Sequence, residues 1–189
     1  MKGTLLIIFQ SKHGYVKRYV DIIGNALGCD AVPLDKLKKD MLGYDKILYI
    51  GPVNGGTISG MKKLNDYLDA IASKLIVCGV GMLPRKDGIE SRLKESTLPV
   101  TYENDIPVFY AQGGFDFNEL TRMEKMQISM LVRQIKNSSV IDENETYVLN
   151  AVQTPVDEVK TANIKPLIDY LDGKYVDESL YSPPKKSDE

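Results

Sequence analysis

The chain has no Trp, one His and two Cys in 189 residues, and each scarcity removes a chemistry. His13 is the sole imidazole, and no Gly-x-Ser-x-Gly turn exists, so a Ser–His hydrolase has neither its elbow nor a placed base. Cys29 and Cys78 stand far apart and match no metal-ligand spacing. They argue against a disulfide scaffold and suit a reducing cytoplasm. Cys78 and Arg85 bracket six residues, one more than the phosphate cradle of Cys-dependent phosphatases allows. Charge of one sign is also lacking: 24 basic residues face 26 acidic ones, for a net charge of -2. A nucleic-acid partner needs concentrated positive charge, so none is expected. The apolar run Leu5–Phe9 is too short for a signal-peptide core or a membrane span. A cytoplasmic, soluble protein without a metal site is expected.

What is there is an alternation. "TLLIIF" (4–9) is an unbroken apolar run that suits a strand buried on both faces. Val16, Tyr19, Val20, Ile23 and Leu27 then fall at helical spacing, with Gly28 as a stop. "DAVPLD" (30–35) predicts a second strand, placed at an edge by Pro33. "KILYIG" (46–51), "KLIVCGVG" (74–81) and "IPVFYAQGG" (106–114) predict three more. Helices are expected at 61–72 and 89–95. Strands alternating with helices imply an α/β domain built on an open, doubly wound, five-stranded parallel sheet. Ligands of such sheets sit beyond the carboxyl ends of the strands.

After the fifth strand the spacing predicts a long amphipathic helix over about 117–137. Its stripe is Leu120, Met123, Met126, Met130, Leu131 and Ile135, and Thr121 with Glu124 forms a capping-box pattern. The stripe is expected to pack on its own domain. Contact with a partner or a membrane surface is the alternative, since Met suits adaptable contacts. "IDENET" (141–146) reads as a charged linker, and a last short helix is expected over 164–171. The domain is taken as 1–172, followed by a polar tail, 173–189.

The loops after the first, third and fourth strands favour a ligand with a phosphate and a flat ring. Ser11, Lys12, His13 and Gly14 precede a helix beginning at Tyr15 and Val16, where amide groups and the helix dipole attract an anion. Pro52, Val53, Asn54, Gly55 and Gly56 form one Gly-containing loop, and Gly79, Val80, Gly81 and Met82 another. Both are placed along the ring, with Arg85 or Lys86 read either as a solvated pair or as a charge at its polar end.

Residues 5–20 resemble the flavodoxin phosphate signature, matched at Ser11 and Gly14; Val16 stands where that signature has a second Thr. "IGPVNGGTISG" and "GGFDFNELTRMEKMQISMLV" are similar to segments of the flavodoxin-like subfamily related to menaquinone-dependent protoporphyrinogen dehydrogenase. Asn54 occupies a position commonly aromatic there. The resemblance implies a flavodoxin-like fold with an added C-terminal helical segment, and non-covalent FMN. It also implies that the flavin performs the chemistry, without a dedicated catalytic residue. Flavodoxin shuttles are strongly acidic, which disfavours the anionic reduced ring. The near-neutral charge here leans toward an oxidoreductase. The alternatives are an electron-transfer shuttle and a flavin-free interaction module. Substrate, redox partner and homo-oligomeric state are left open.

Overall fold

The computed structural model describes residues 4–174. The apolar runs form β1 (Leu5–Phe9), β2 (Asp30–Pro33), β3 (Lys46–Asn54), the two-residue β4 (Thr57–Ile58), β5 (Leu75–Gly81) and β6 (Val108–Gln112). Five of these make a parallel sheet in the order β2-β1-β3-β5-β6, and β4 folds back antiparallel on the end of β3. Ile7 pairs with both Ala31 and Leu48, and Cys78 pairs with Phe109. Pro33 lies at the end of edge strand β2, a position where the missing N–H of proline is tolerated.

The α-helices among the described residues are, in chain order, α1 (Tyr15–Leu27), α2 (Met61–Leu64), α3 (Leu68–Ile71), α4 (Ile89–Thr97), α5 (Arg122–Lys136), α6 (Glu143–Gln153) and α7 (Thr161–Leu171). α1 and α7 cover one face of the sheet, burying Ile7, Leu48, Ile50, Cys78 and Phe109. The segments from α2 to α4 cover the other, burying Ile8, Tyr49, Val77 and Tyr110. Burial on both faces explains why β5 tolerates no polar side chain: each fully buried aliphatic residue contributes about 1.5–3 kcal/mol. α1 closes at Gly28, left-handed with φ 64°, whose N–H donates to the Gly24 carbonyl.

Four expectations are corrected. The helix over 61–72 is broken into α2, a 3₁₀ turn at Asn65–Tyr67 and α3. The helix over 117–137 starts later, at Arg122, after a 3₁₀ turn at Phe117–Glu119. "IDENET" is no linker: Asp142 caps α6 through a reciprocal box with Glu145. The expected stripe packs on the domain only in part: Ile135 is buried, while Met123, Met126 and Met130 are exposed and Leu131 is partly so.

The α5–α6 pair is an excursion between β6 and α7. Its base is pinned by a small antiparallel sheet of β7 (Gly114–Phe115) and β8 (Val156–Asp157), and by Arg18 Nη1 on Asp157 Oδ2 at 2.6 Å. The chain then returns in α7, which packs on α1 as the sheet's last covering helix. Among the described residues no helix is long and apolar enough to cross a membrane. The expected tail lies, from residue 175 onward, outside the described residues.

Candidate functional site

A cavity of about 550 Å³ lies beyond the carboxyl ends of β1, β3 and β5, where the strand order reverses. Its floor is built by the three loops. After β1, Gly14 adopts φ 86°, a conformation that L side chains rarely take, and turns the chain into α1. The backbone N–H groups of residues 11–16 then find no acceptor among the described residues. Ser11 Oγ accepts from the Lys17 amide at 3.3 Å, which leaves its hydroxyl proton to donate elsewhere. A run of free amides at a helix N-terminus is an anion cradle.

The second loop turns on Gly55 and Gly56, left-handed at φ 57° and 79°. It is fixed from outside: Ser96 Oγ donates to the Gly56 carbonyl at 2.7 Å, and Asn54 Nδ2 donates to Ser59 Oγ at 2.9 Å. The third loop is held by β6. Tyr110 Oη donates to the Leu83 carbonyl at 2.6 Å and Gln112 Nε2 to that of Met82 at 3.3 Å. Burial raises the Tyr110 phenol well above its usual range, so it stays a donor at all ordinary pH. The excursion supplies an apolar roof of Phe115, Leu120, Ile128, Leu131 and Val148.

Floor and roof meet at Glu124. Its Oε1 accepts from Lys12 Nζ at 2.7 Å and lies 3.1 Å from His13 Nε2. Its Oε2 accepts from the Thr121 amide at 2.9 Å and hydroxyl at 2.7 Å. These bonds, Lys12 foremost and then the Thr121 hydroxyl, hold its carboxyl well below the usual carboxylate range.

Residues 6–141 match the family model of the flavodoxin domain. The chain belongs to the flavodoxin domain family. Solved structures similar to it include a WrbA-like flavodoxin from Agrobacterium tumefaciens at 15% identity, covering 58% of this chain and 83% of that one, with a TM-score of 0.39. A putative flavoprotein from Bacteroides eggerthii is similar at 17% identity, covering 57% and 86%, with a TM-score of 0.42. The two-electron reduced flavodoxin of Megasphaera elsdenii is similar at 14% identity, covering 58% and 85%, with a TM-score of 0.41. No curated protein matches the sequence.

In this flavodoxin domain the cavity gathers Ser11, Lys12, His13, Tyr15, Val16, Pro52 to Gly56, and Val80 to Met82. Three expected residues stand outside its wall. Gly14 shapes the turn. Gly79 is a packing glycine, since a Cβ there would meet Val53 Cγ2 at 2.8 Å. Arg85 lies outside the lining and bonds to Glu90, Nε to Oε1 at 2.8 Å. Lys86 does border the cavity and pairs with Glu143 at 2.5 Å, and Arg92 joins it from α4. Glu124, Phe115 and Arg92 were not anticipated. The capping-box spacing had marked Glu124, but only as a helix start.

Proposed function

We propose that this flavodoxin domain binds FMN non-covalently and acts as a redox protein in the cytoplasm. The observation that carries the reading is the run of free amides at 11–16, beside the Ser11 hydroxyl, at the mouth of the cavity. It suits one terminal phosphate. The amides and Ser11 would hold that phosphate, while Pro52 to Gly56 and Val80 to Met82 would lie along the ring. When bound, the flavin supplies the electron-accepting and electron-donating chemistry.

Glu124 keeps Lys12 and His13 drawn toward α5 and leaves the amides open to the phosphate. Phe115 supplies an aromatic wall, while the Asn54 side chain is bonded to Ser59. Lys86 and Arg92, not Arg85, are the cations that would tune a bound ring.

The apolar roof favours an oxidoreductase acting on a small molecule held under α5 over an open shuttle, because a shuttle needs its ring edge free for a partner. The resemblance to the subfamily related to menaquinone-dependent protoporphyrinogen dehydrogenase supports the same choice. Titration with FMN, FAD and NAD, followed by flavin fluorescence and by melting, tests the reading. Saturable FMN binding is expected. Saturable binding of FAD or NAD with none for FMN overturns it.

A further inference from the structure

The exposed large apolar side chains among the described residues are Val100 and six others, and all six lie between residues 123 and 141. Met123, Met126 and Met130 are 63%, 54% and 58% exposed, and Val140 and Ile141 follow just past the end of α5. At the turn of an α-helix the three Met side chains fall within a sector of roughly 60°, opposite the inward-facing Ile128 and Ile135. Arg122, Lys125, Arg133 and Lys136 all fall in the adjoining roughly 80°, along one edge of the stripe. None of the four has an ion-pair partner among the described residues, although Lys125 Nζ turns back to donate to the Asn118 carbonyl at 3.0 Å, so the edge rests chiefly on Arg122, Arg133 and Lys136. The only acid of α5, Glu124, is turned inward onto Lys12 and His13. In a chain with net charge -2, this edge is a concentration of positive charge.

We propose that the outer face of α5 docks on an anionic lipid surface, with the helix in the plane of the interface. The Met stripe enters the headgroup boundary and the cationic edge pairs with lipid phosphates. The observations favour a lipid over an acidic protein. The stripe is narrow and carries none of the Trp or Tyr anchors that are enriched at protein hot spots. A fluid anionic surface needs only an apolar stripe and adjacent cations. A second copy is disfavoured in the antiparallel arrangement, which would bring the two cationic edges together. Docking places the cavity wall made by Gln127 and Leu131 beside the lipid. None of the docking residues touches the proposed phosphate loop, so the proposal stands apart from the flavin reading.

Flotation of the full chain with vesicles of phosphatidylcholine alone, and of phosphatidylcholine with 30% phosphatidylglycerol, tests it. Binding to the anionic vesicles only, weakened by 0.5 M salt, is expected. Arg133→Gln with Lys136→Gln should lower partitioning by about fivefold per cation removed. Met126→Gln with Met130→Gln should lower it at unchanged charge, with circular dichroism confirming that both variants fold. Four results overturn the proposal: no vesicle binding, equal binding to neutral vesicles, variants that bind like the parent, or capture by poly-glutamate or self-association in place of lipid.

Discussion

Glu124 does two jobs with one carboxylate, and the two can be separated. At position three of α5 it completes the capping box with Thr121, a role that Gln fills equally well. Its charge serves the other job, holding Lys12 and His13 and so tying the first loop to the roof. Glu124→Gln therefore keeps the helix start and loosens the tie. Hydrogen bonds to charged groups are worth about 1.5–3 kcal/mol, and partial exposure of this one reduces the expected loss to about 1 kcal/mol at pH 7. The carboxyl is depressed in the folded state, so its contribution is fully present above the unfolded value of 4.5. That contribution is lost as pH falls from 4.5 toward the folded value. Urea titrations of parent and variant should accordingly differ at pH 7 and converge in acid; a gap that stays constant with pH would mean the charge plays no part. Val16 is the complementary case. It offers the cradle an amide but no hydroxyl, and its side chain is buried in the core beneath α1.

At the scale of elements, the excursion between β6 and α7 owes its shape to caps more than to buried area. α5 buries Ile135 alone, and α6 buries only Val148 and Ala151. Each helix opens instead with a reciprocal capping box, Thr121 with Glu124 and Asp142 with Glu145. An N-cap replaced by Ala costs about 1 kcal/mol. Where packing is this thin, that cost falls on the excursion and not on the sheet. Asp142→Ala should thus raise amide hydrogen exchange across α6 and the roof while leaving β3 and β5 protected. Uniformly faster exchange, extending into those strands, would show that the excursion and the sheet open as one unit.

The whole molecule can be read through its two thiols. Cys78 sits in central strand β5 with both faces covered, and burial raises its pKa well above the ordinary thiol value. Cys29 is only partly buried at the other end of the sheet, with a smaller upward shift from the same cause. The thiolate is the reactive form, so Cys29 should react slowly with a disulfide reagent in the native state. Cys78 should react only when the sheet opens. Its rate should follow the population of the opened state and fall when FMN is added, since a ligand of the native state suppresses opening. Fast labelling of Cys78 in the native protein would contradict the buried placement.

Residues 4–9, 46–51 and 74–81 could be read as buried strands because two covered faces demand continuous apolar runs, a local and unambiguous signal. Gly14, Gly28, Gly55 and Gly56 marked turns because left-handed backbone selects glycine. Together these place the five strands and the three loops of the site, while the strand order β2-β1-β3-β5-β6 came from the tertiary structure. Residues 120–150 behaved differently. The stripe of Leu and Met at helical spacing was apolar enough to look like a core face, yet the helix turned Ile128 and Ile135 inward and left Met123, Met126 and Met130 to solvent. Periodicity reports that a helix has an apolar side; which of two apolar sides is covered depends on what stands opposite. Likewise, Arg85 and Lys86 are adjacent in sequence, and only the tertiary structure pairs Arg85 with Glu90 outside the cavity lining and Lys86 with Glu143 at its border. Local backbone rules are written in the chain, whereas the pairing of charges and the choice of a covered face need the neighbours that only the tertiary structure brings.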